Sequence, residues 1–335
     1  MGRQKMSSAL TIAIGSLVAF AVPVVVSYVV EAMRSAPATP TRLSWAPEIP
    51  IKYVKVNESN LRYVEVGHGP ALVLLHTLRT QLDMFQKIIP ELSKHFRVYA
   101  LDYPGHGFSD IPTVEYTPEF FTDVVAKFLE QLDIKGAIVA GESIGGSISL
   151  VLAARHNPRV KQVIAINPYD YDKGRGAKRS SAMANLLFSL NNIPILGSTF
   201  WRLRLYPIFK NIMDGGVVHK DSLPPALLRE MNEVGNRPYH YLAFMSLVRH
   251  WAGWEDGQAD YGKIAVPVLL IYGEHDWSHP EERETNQRAI PGAQMIIVKD
   301  AGHFLSLDAP EAVLQHILNF SHAGEEGLRE ASGLS

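Results

Sequence analysis

Short apolar runs recur along the chain, separated by longer stretches of mixed polarity. Runs of about 4–8 apolar residues are typical of strands buried on both faces of a sheet. Some of the intervening stretches carry apolar residues at helical spacing, as in Ile148–Ala154. The pattern therefore predicts strands that alternate with helices, the arrangement of an α/β domain. The predicted strands are 71–76, 97–101, 137–140, 160–167, 266–272 and 293–298.

The stretch Gly141-Glu142-Ser143-Ile144-Gly145 joins a predicted strand to a helix-like segment. A serine between two glycines at such a corner sits on a sharp turn, which exposes its hydroxyl at the edge of the sheet. The glycines are needed because a Cβ at either position would collide with the neighbouring strand and helix. The following helix would aim unpaired N–H groups at the hydroxyl. Ser143 is the candidate nucleophile; the alternative is a plain glycine-rich turn.

A serine hydroxyl needs a base to take its proton and a carboxylate to orient that base. Asp276 follows the predicted strand 266–272, and His303 follows the strand 293–298. Loops at the carboxyl ends of strands are where open α/β sheets place their sites. The chain order Ser143, Asp276, His303 is that of the nucleophile-elbow hydrolases. We therefore expect these three side chains to meet.

Each of these residues has an alternative interpretation. Asp276 could cap the next helix, and His303 could be an ordinary loop histidine. Glu274 could supply the acid in place of Asp276. His275 and His279 are spaced as metal ligands could be, but no third ligand is evident, so no metal is expected.

With these motifs the chain resembles the α/β-hydrolase superfamily, in its lidded esterase, lipase and C–C hydrolase branch. The resemblance covers roughly residues 50–320 and rests on motifs that each follow a predicted strand. It implies a mostly parallel central sheet with helices on both faces, a helical cap insertion, and no metal or organic cofactor. The motifs are His76, Asp102–Ser109, Gly141–Gly145, Gly273–Asp276 and Gly302-His303.

The resemblance also implies roles near the nucleophile. The backbone N–H groups of Ile144 and Leu78 would form an oxyanion hole. The family usually has glycine directly after the strand-ending His76, and here that residue is Thr77, which is the alternative donor. Arg79 could hold a carboxylate or phosphate of the substrate or be a surface salt-bridge residue. The stretch 102–109 is expected to be a structural turn.

The identity of the nucleophile excludes part of the superfamily. Epoxide hydrolases and haloalkane dehalogenases attack with an aspartate, and this chain has Ser143 at that place. The resemblance thus favours enzymes that proceed through an acyl-enzyme.

Residues 169–261 are expected to form the helical cap. This range is mostly helical in pattern and rich in large apolar side chains, with a few arginines and lysines between them. Ligand pockets are mainly hydrophobic with few polar groups, so part of the cap should line an acyl or aryl pocket. The remainder should pack on the core or face lipid. The substrate-binding candidates are His76, Arg79, Trp201, Trp251 and Trp254.

The amino-terminal region differs in character from the rest. Ala9 to Val30 contains no charged residue, and a helix of about 22 residues is about 33 Å long, enough for a hydrocarbon core of about 30 Å. We predict a membrane anchor over 1–34; a cleaved signal with a cut near Ala36-Pro37-Ala38 is the alternative. Arg3 and Lys5 favour a cytoplasmic amino terminus and a catalytic domain on the periplasmic, extracellular or lumenal side.

The remaining boundaries follow from composition. Residues 35–50 are proline-rich and predict an extended stalk. The core is expected over 51–168 and 262–320, and a polar tail over 321–335.

The 335 residues carry a net charge of −2, which argues against a nucleic-acid partner. The main hypothesis is a membrane-tethered serine hydrolase of carboxylic esters, with small-molecule or lipid esters as substrates. The alternatives are a C–C hydrolase of the meta-cleavage type, an acyltransferase or perhydrolase, and a non-catalytic receptor on the same fold.

Overall fold

Within residues 2–332, which the computed structural model describes, the central feature is an eight-stranded sheet in the order β1-β2-β4-β3-β5-β6-β7-β8. Side chains are described for residues 14–16 and 18–322. β1 and β2 form an antiparallel hairpin, β2 pairs antiparallel with β4, and the other pairs are parallel. The mostly parallel sheet is thereby confirmed. The strands are β1 Ile51–Val56, β2 Ser59–Val66, β3 Ala71–Leu75, β4 Arg97–Leu101, β5 Ala137–Glu142, β6 Val160–Ile166, β7 Val268–Gly273 and β8 Gln294–Val298.

Helices cover both faces of the sheet because the central strands are apolar on both sides. On β3, Leu72 and Leu74 face one hydrophobic cluster, which includes α13, and Val73 and Leu75 face the other, which includes α3 and α4. The helices are α1 Gly2–Ala32, α2 Ile89–Leu92, α3 Pro118–Gln131, α4 Ile144–Ala154, α5 Ala182–Leu190, α6 Leu196–Leu203, α7 Tyr206–Asp214, α8 Pro225–Gly235, α9 His240–His250, α10 Gly253–Asp256, α11 Pro280–Ala289, α12 Leu305–Asp308 and α13 Pro310–Ser332.

The six predicted strands are all present, with ends that differ by one or two residues. The hairpin β1–β2 was not among the predictions. Polar residues alternate with apolar ones along β1, and half of its positions are only partly buried. Edge strands of this kind lack the continuous apolar run that marks the central strands.

Helices α5 to α9 form the cap between β6 and β7. The last part of the range expected for the cap packs on the core instead, the short 3₁₀ helix Gly257–Lys263 against α4 and Trp254 of α10 against Phe121 of α3. Tyr261 is fully buried there, and its hydroxyl donates a hydrogen bond to Asp170 Oδ2 (2.6 Å). We therefore place the end of the cap before Gly253.

The proline-rich segment 35–50 is only in part the stalk that its composition predicts. Residues 34–40 have no regular secondary structure. Beyond them, Leu43, Ala46 and Ile49 are buried in the cluster that also contains α13. The second half of the segment is thus part of the core, because its apolar side chains are spaced to reach it.

Helix α1 ends against the cap. Its segment Ile14–Ala32 is long and apolar enough to cross a membrane, a property that signal sequences share. Most of its described apolar side chains are exposed, with Val25 at 60%. At its carboxyl end Glu31 pairs with Arg204 and Arg34 and accepts a hydrogen bond from Tyr239 N–H (2.8 Å). The anchor predicted over 1–34 therefore contacts the cap directly.

Further contacts join α1 to α6. Arg202 donates a hydrogen bond to Ser27 Oγ (2.9 Å), and its guanidinium lies 3.8 Å from the centroid of the Tyr28 ring. Arg34 donates to the carbonyl oxygens of Arg202 and Leu203, both at 2.9 Å. Glu31 is the carboxylate that two arginines share at this junction.

We predict that Glu31→Ala loosens the cap. The side chain of Arg204 is only 1% exposed, and removal of one partner of a buried ion pair costs roughly 3–5 kcal/mol because the other charge stays buried. Amide hydrogen exchange in α6 should become roughly 10²–10³-fold faster. Glu58→Ala, which removes a carboxylate with a 93% exposed side chain, is the control. Equal exchange rates in α6 for the two variants would contradict the prediction.

Candidate active site

Ser143 lies on a strained turn between β5 and α4. Its backbone φ is 59° and ψ is −120°, a conformation that a residue with a Cβ adopts only where its surroundings hold it. A Cβ on Gly141 would lie 2.0 Å from Gly145 O, and a Cβ on Gly145 would lie 2.1 Å from Leu75 O. The two glycines thus let α4 approach the strands closely enough to hold the turn.

The structure brings together the three residues expected at the strand ends. His303 Nε2 lies 2.9 Å from Ser143 Oγ, and His303 Nδ1 lies 2.5 Å from Asp276 Oδ1. Burial alone would raise the pKa of Asp276, but His303 and the hydrogen bonds from His303 and Ser278 hold it below its usual value. Asp276 is therefore a carboxylate at neutral pH, able to accept a hydrogen bond from Nδ1–H.

Trp277 and Ser278 support this arrangement, and the sequence analysis did not identify them. The Trp277 ring stacks on His303, with centroids 3.8 Å apart and planes at 12°. Ser278 donates to Asp276 Oδ2 from both its N–H and its hydroxyl. Arg283 Nε in turn donates to Ser278 Oγ (2.9 Å). The position of Trp277 and Ser278 directly after Asp276 is the only sequence signal that could have indicated their role.

The alternative acid and the alternative metal ligands lie elsewhere. Glu274 Oε2 accepts a hydrogen bond from Asp300 N–H (3.0 Å), and its side chain is half-exposed. Among the described residues, no group of three histidine, aspartate or glutamate side chains could hold a metal ion. His275 and His279 therefore have no third ligand nearby.

The loop after β3 lines the other side of the Ser143 hydroxyl. Thr77, Leu78 and Ser143 all line one cavity. Within the described part of the chain, the N–H groups of Leu78 and Ile144 donate to no acceptor. Backbone N–H groups free at such a place are suited to stabilise an oxyanion.

His76 shapes this loop and does not reach the cavity. It is fully buried, and burial and the neighbouring His106 lower its pKa well below the usual value, so its ring is neutral. Its Nδ1 lies 2.7 Å from Thr77 O, and its Nε2 accepts a hydrogen bond from Tyr103 N–H (3.3 Å). The expectation that His76 binds substrate is therefore wrong, and its contacts are structural.

The cavity beside Ser143 is narrow and walled mainly by the cap. Its volume is about 40 Å³, enough for two or three water molecules. An ester can enter only when the cap helices move. The side chains that line it, beyond those of the β3 loop and Ser143, are Tyr169, Ala177, Phe188, Trp201, Phe209, Ile212, Met213, Phe244, Trp277 and Phe304.

Of the three cap tryptophans expected in the pocket, only Trp201 lines the cavity. Trp254 is 2% exposed and packs against Phe121 of α3, with ring centroids 6.1 Å apart. Trp251 packs on the outer side of Phe188, at 5.6 Å. The expectation is wrong for Trp251 and Trp254. Their helical spacing indicates that they share one face of a helix, but it does not indicate which part of the protein that face contacts.

Arg79 lines the cavity and is not a surface salt-bridge residue. Its backbone φ is 56°, and its Nε and Nη2 atoms are buried without a hydrogen-bond partner among the described residues. The guanidinium carbon lies 5.3 Å from the Phe209 ring centroid and 5.4 Å from that of Phe244. Burial and the neighbouring Arg34 lower the pKa of Arg79 to about 10, so it stays charged at neutral pH.

Glu142, next to the nucleophile, is a second buried ionisable group that was not singled out from the sequence. It is fully buried, its Oε1 accepts a hydrogen bond from Ser306 N–H (3.2 Å), and its Oε2 has no partner among the described residues. Burial raises its pKa to about 7, and the hydrogen bonds from Ser306 oppose this only in part.

The strand order, the turn at Ser143 and the meeting of Asp276 with His303 define an α/β hydrolase, and comparison with known proteins agrees. Residues 70–310 match the family described as alpha/beta hydrolase fold. The chain belongs to this family.

Individual relatives are distant and differ in activity. A carboxylesterase, YbfK of Bacillus subtilis, is 26% identical over 84% of this chain and 90% of its own. A 2-hydroxy-6-oxo-6-(2'-aminophenyl)hexa-2,4-dienoic acid hydrolase of Metapseudomonas resinovorans is 22% identical over 80% and 90%. A solved bacterial membrane phospholipase A has a TM-score of 0.71 and 22% identity, over 97% of this chain and 99% of its own.

We predict that Glu142→Gln stabilises the protein at pH 8 and not at pH 4.5. Because the folded-state pKa is raised from 4.5 to about 7, the folded state binds more protons than the unfolded state between these values. Stability therefore falls as pH rises through this window, by up to about 3 kcal/mol. The neutral glutamine escapes this loss.

Thermal unfolding at the two pH values measures the difference. Glu91→Gln, on the surface, controls for the change of net charge. A gain in unfolding temperature for Glu142→Gln that is equal at both pH values would contradict the prediction.

Proposed function

We propose that the protein is a membrane-tethered serine hydrolase that cleaves carboxylic esters through an acyl-enzyme. The observation that carries the proposal is the chain of contacts from Asp276 through His303 to Ser143, at the edge of an apolar cavity. The distant carboxylesterase relative is consistent with this reaction.

The reaction would begin with transfer of the Ser143 hydroxyl proton to His303 Nε2 as Oγ attacks the ester carbonyl carbon. Asp276 would hold His303 in the tautomer with Nδ1–H and stabilise the imidazolium. The N–H groups of Ile144 and Leu78, with Thr77 as the alternative, would hold the oxyanion, at about 3–4 kcal/mol for each donor.

Collapse of the tetrahedral intermediate breaks the bond from the carbonyl carbon to the alcohol oxygen, and His303 returns its proton to that oxygen. Water then attacks the acyl-enzyme while His303 accepts a proton from it. The second collapse releases the carboxylic acid and restores Ser143. No step uses a metal or an organic cofactor.

Lipid esters are the substrates that the surroundings of the site favour. Phe188, Trp201 and Phe244 give the cavity apolar walls, which suits an acyl chain. Exposed apolar side chains on α5 and α6, Leu186 and Leu196 among them, adjoin the cap surface to which α1 docks. The phospholipase of similar fold is itself described as a membrane protein. We place the catalytic domain outside the cytoplasm, with α1 as the anchor.

We predict that Ser143→Ala abolishes hydrolysis of p-nitrophenyl esters and labelling by a fluorophosphonate, because no other hydroxyl is hydrogen-bonded to His303 in the described residues. Circular dichroism should remain unchanged. Ser149→Ala, in the helix α4 that follows the nucleophile and with its hydroxyl bonded to Gly145 O, should still be labelled. Retained labelling of Ser143→Ala would refute the assignment of the nucleophile.

We predict that Asp276→Asn lowers kcat by roughly 10³–10⁴-fold. An asparagine that donates to Nδ1 would favour the wrong tautomer of His303, which could then not accept the serine proton. Steady-state kinetics with a p-nitrophenyl ester measures the loss. Glu274→Gln changes the alternative acid and should leave kcat within about twofold of the original; the reverse pattern would assign the acid to Glu274.

A C–C hydrolase is the second candidate. Arg79 lines the cavity, its guanidinium could bind the carboxylate of a vinylogous diketone, and one distant relative is a hydrolase of a dienoic acid. Turnover of a ring-fission product, measured beside short- and long-chain acyl esters, separates the two activities.

A further inference from the structure

Arg79 is a buried cation whose charge none of the described side chains neutralises. No carboxylate of the described residues lies within ion-pair distance of its guanidinium, and its Nε and Nη2 atoms are buried without a hydrogen-bond acceptor. The rings of Phe209 and Phe244 flank it. These contacts hold the guanidinium in place but do not neutralise it.

The surroundings add positive charge. Arg34 and Arg204 lie close enough to disfavour one another electrostatically, and Arg79 contributes to the lowered pKa of Arg204. Both of these neighbours share Glu31 as their partner. Burial and Arg79 together keep the pKa of His240 well below its usual value, so this ring is neutral and supplies no negative charge.

The fold makes room for this cation. Gly235, the last residue of α8, lies against the guanidinium, and a Cβ at that position would be 3.3 Å from Nη2 of Arg79. The carboxyl end of a helix offers only a partial negative charge. The left-handed backbone of Arg79 is a conformation that arginine rarely adopts. A buried, strained and unpaired cation is unfavourable in the free protein, which points to a missing anion.

We infer that Arg79 binds an anionic group of the substrate, a carboxylate or a phosphate, while Ser143 attacks the ester. Arg79, Leu78 and Ser143 line the same cavity, and the planar guanidinium can donate two parallel hydrogen bonds to either anion. The inference rests on the proposed function and specifies its substrate class as anionic esters.

The test compares anionic esters with neutral partners of similar size. One pair is p-nitrophenyl hemiglutarate and p-nitrophenyl valerate, with the charge on the acyl side. The other is 1-butyryl-glycerol 3-phosphate and 1-butyrylglycerol, with the charge on the alcohol side. For the original protein we expect kcat/KM to be about 10–100-fold higher for the anionic member of at least one pair. The pair that shows it identifies the anion together with its place in the ester, a carboxylate on the acyl side or a phosphate on the alcohol side.

Arg79→Gln should abolish this preference, so that kcat/KM for the anionic member of the pair falls to about that of its neutral partner. Arg79→Lys should restore part of it, because the charge returns without the planar fork. Arg249→Gln removes the same charge from an exposed position of α9 and should keep the full preference. An anionic-to-neutral ratio near 1 in the original protein, or one that Arg79→Gln leaves unchanged, would overturn the inference.

Stability separates a binding role from a structural one. Removal of an unpaired buried charge should raise the unfolding temperature of Arg79→Gln, whereas loss of a structural contact would lower it; a lower temperature with an intact anion preference would overturn the inference.

A binding experiment tests the anion site without requiring that the protein hydrolyse an ester. In Ser143→Ala, calorimetry should detect monoethyl glutarate and not diethyl glutarate, and Arg79→Gln should remove the signal. If no ester is hydrolysed but this binding is present, the proposed function fails and the anion site stands. If neutral esters are hydrolysed and neither monoethyl glutarate nor 1-butyryl-glycerol 3-phosphate binds to Ser143→Ala, the anion site fails alone.

Discussion

The close packing of α4 against the strands is the constraint on which the site depends. Leu75 O and Gly145 approach so closely that no Cβ fits between them. This contact holds Ser143 at a positive φ, a strain of about 1–3 kcal/mol that the buried helix offsets. Ser143 N–H also donates to Ile166 O (2.8 Å), which ties the turn to β6. The position of the Ser143 hydroxyl is therefore set by this backbone packing and does not depend on the other side chains of the site.

Two buried arginines, Arg62 and Arg79, differ in whether carboxylates neutralise their charge. Arg62 forms ion pairs with Asp83 (2.7 Å) and Asp102 (3.2 Å). Asp102 also accepts hydrogen bonds from Leu82 N–H and Phe108 N–H, which agrees with the structural turn expected over 102–109. The charge of Arg62 is thus neutralised by two carboxylates. Arg79 has neither kind of partner in the part of the chain that the structure describes, although its charge is equally costly to bury. The contrast is the physical basis for assigning Arg79 to binding.

The features that could be predicted from the sequence are those that depend on short local patterns of residues. Strand ends, the turn at Ser143 and the loops that hold Asp276 and His303 all follow from short patterns, since parallel strands bring their carboxyl ends to one edge. Which face of a helix covers which partner depends on contacts distant in sequence. Trp254 and Trp201 both lie in the range expected for the cap, yet one is buried against α3 and the other lines the cavity. The docking of α1 on α6 joins residues that no local pattern relates.

The junction between α1 and the cap limits how the cavity can open. Its volume of about 40 Å³ requires the cap to move before a substrate enters. Helix α6 is held to α1 by Ser27, Glu31 and Arg34, and release of these buried polar contacts would be costly. Helix α7, which contributes Phe209, Ile212 and Met213 to the cavity wall, has no comparable attachment to α1 among the described residues. Whereas movement of the whole cap would break the polar contacts between α1 and α6, opening by movement of α7 away from α6 would leave them intact. It would also uncover Arg79 next to Phe209, so that an entering anion would meet the cation first.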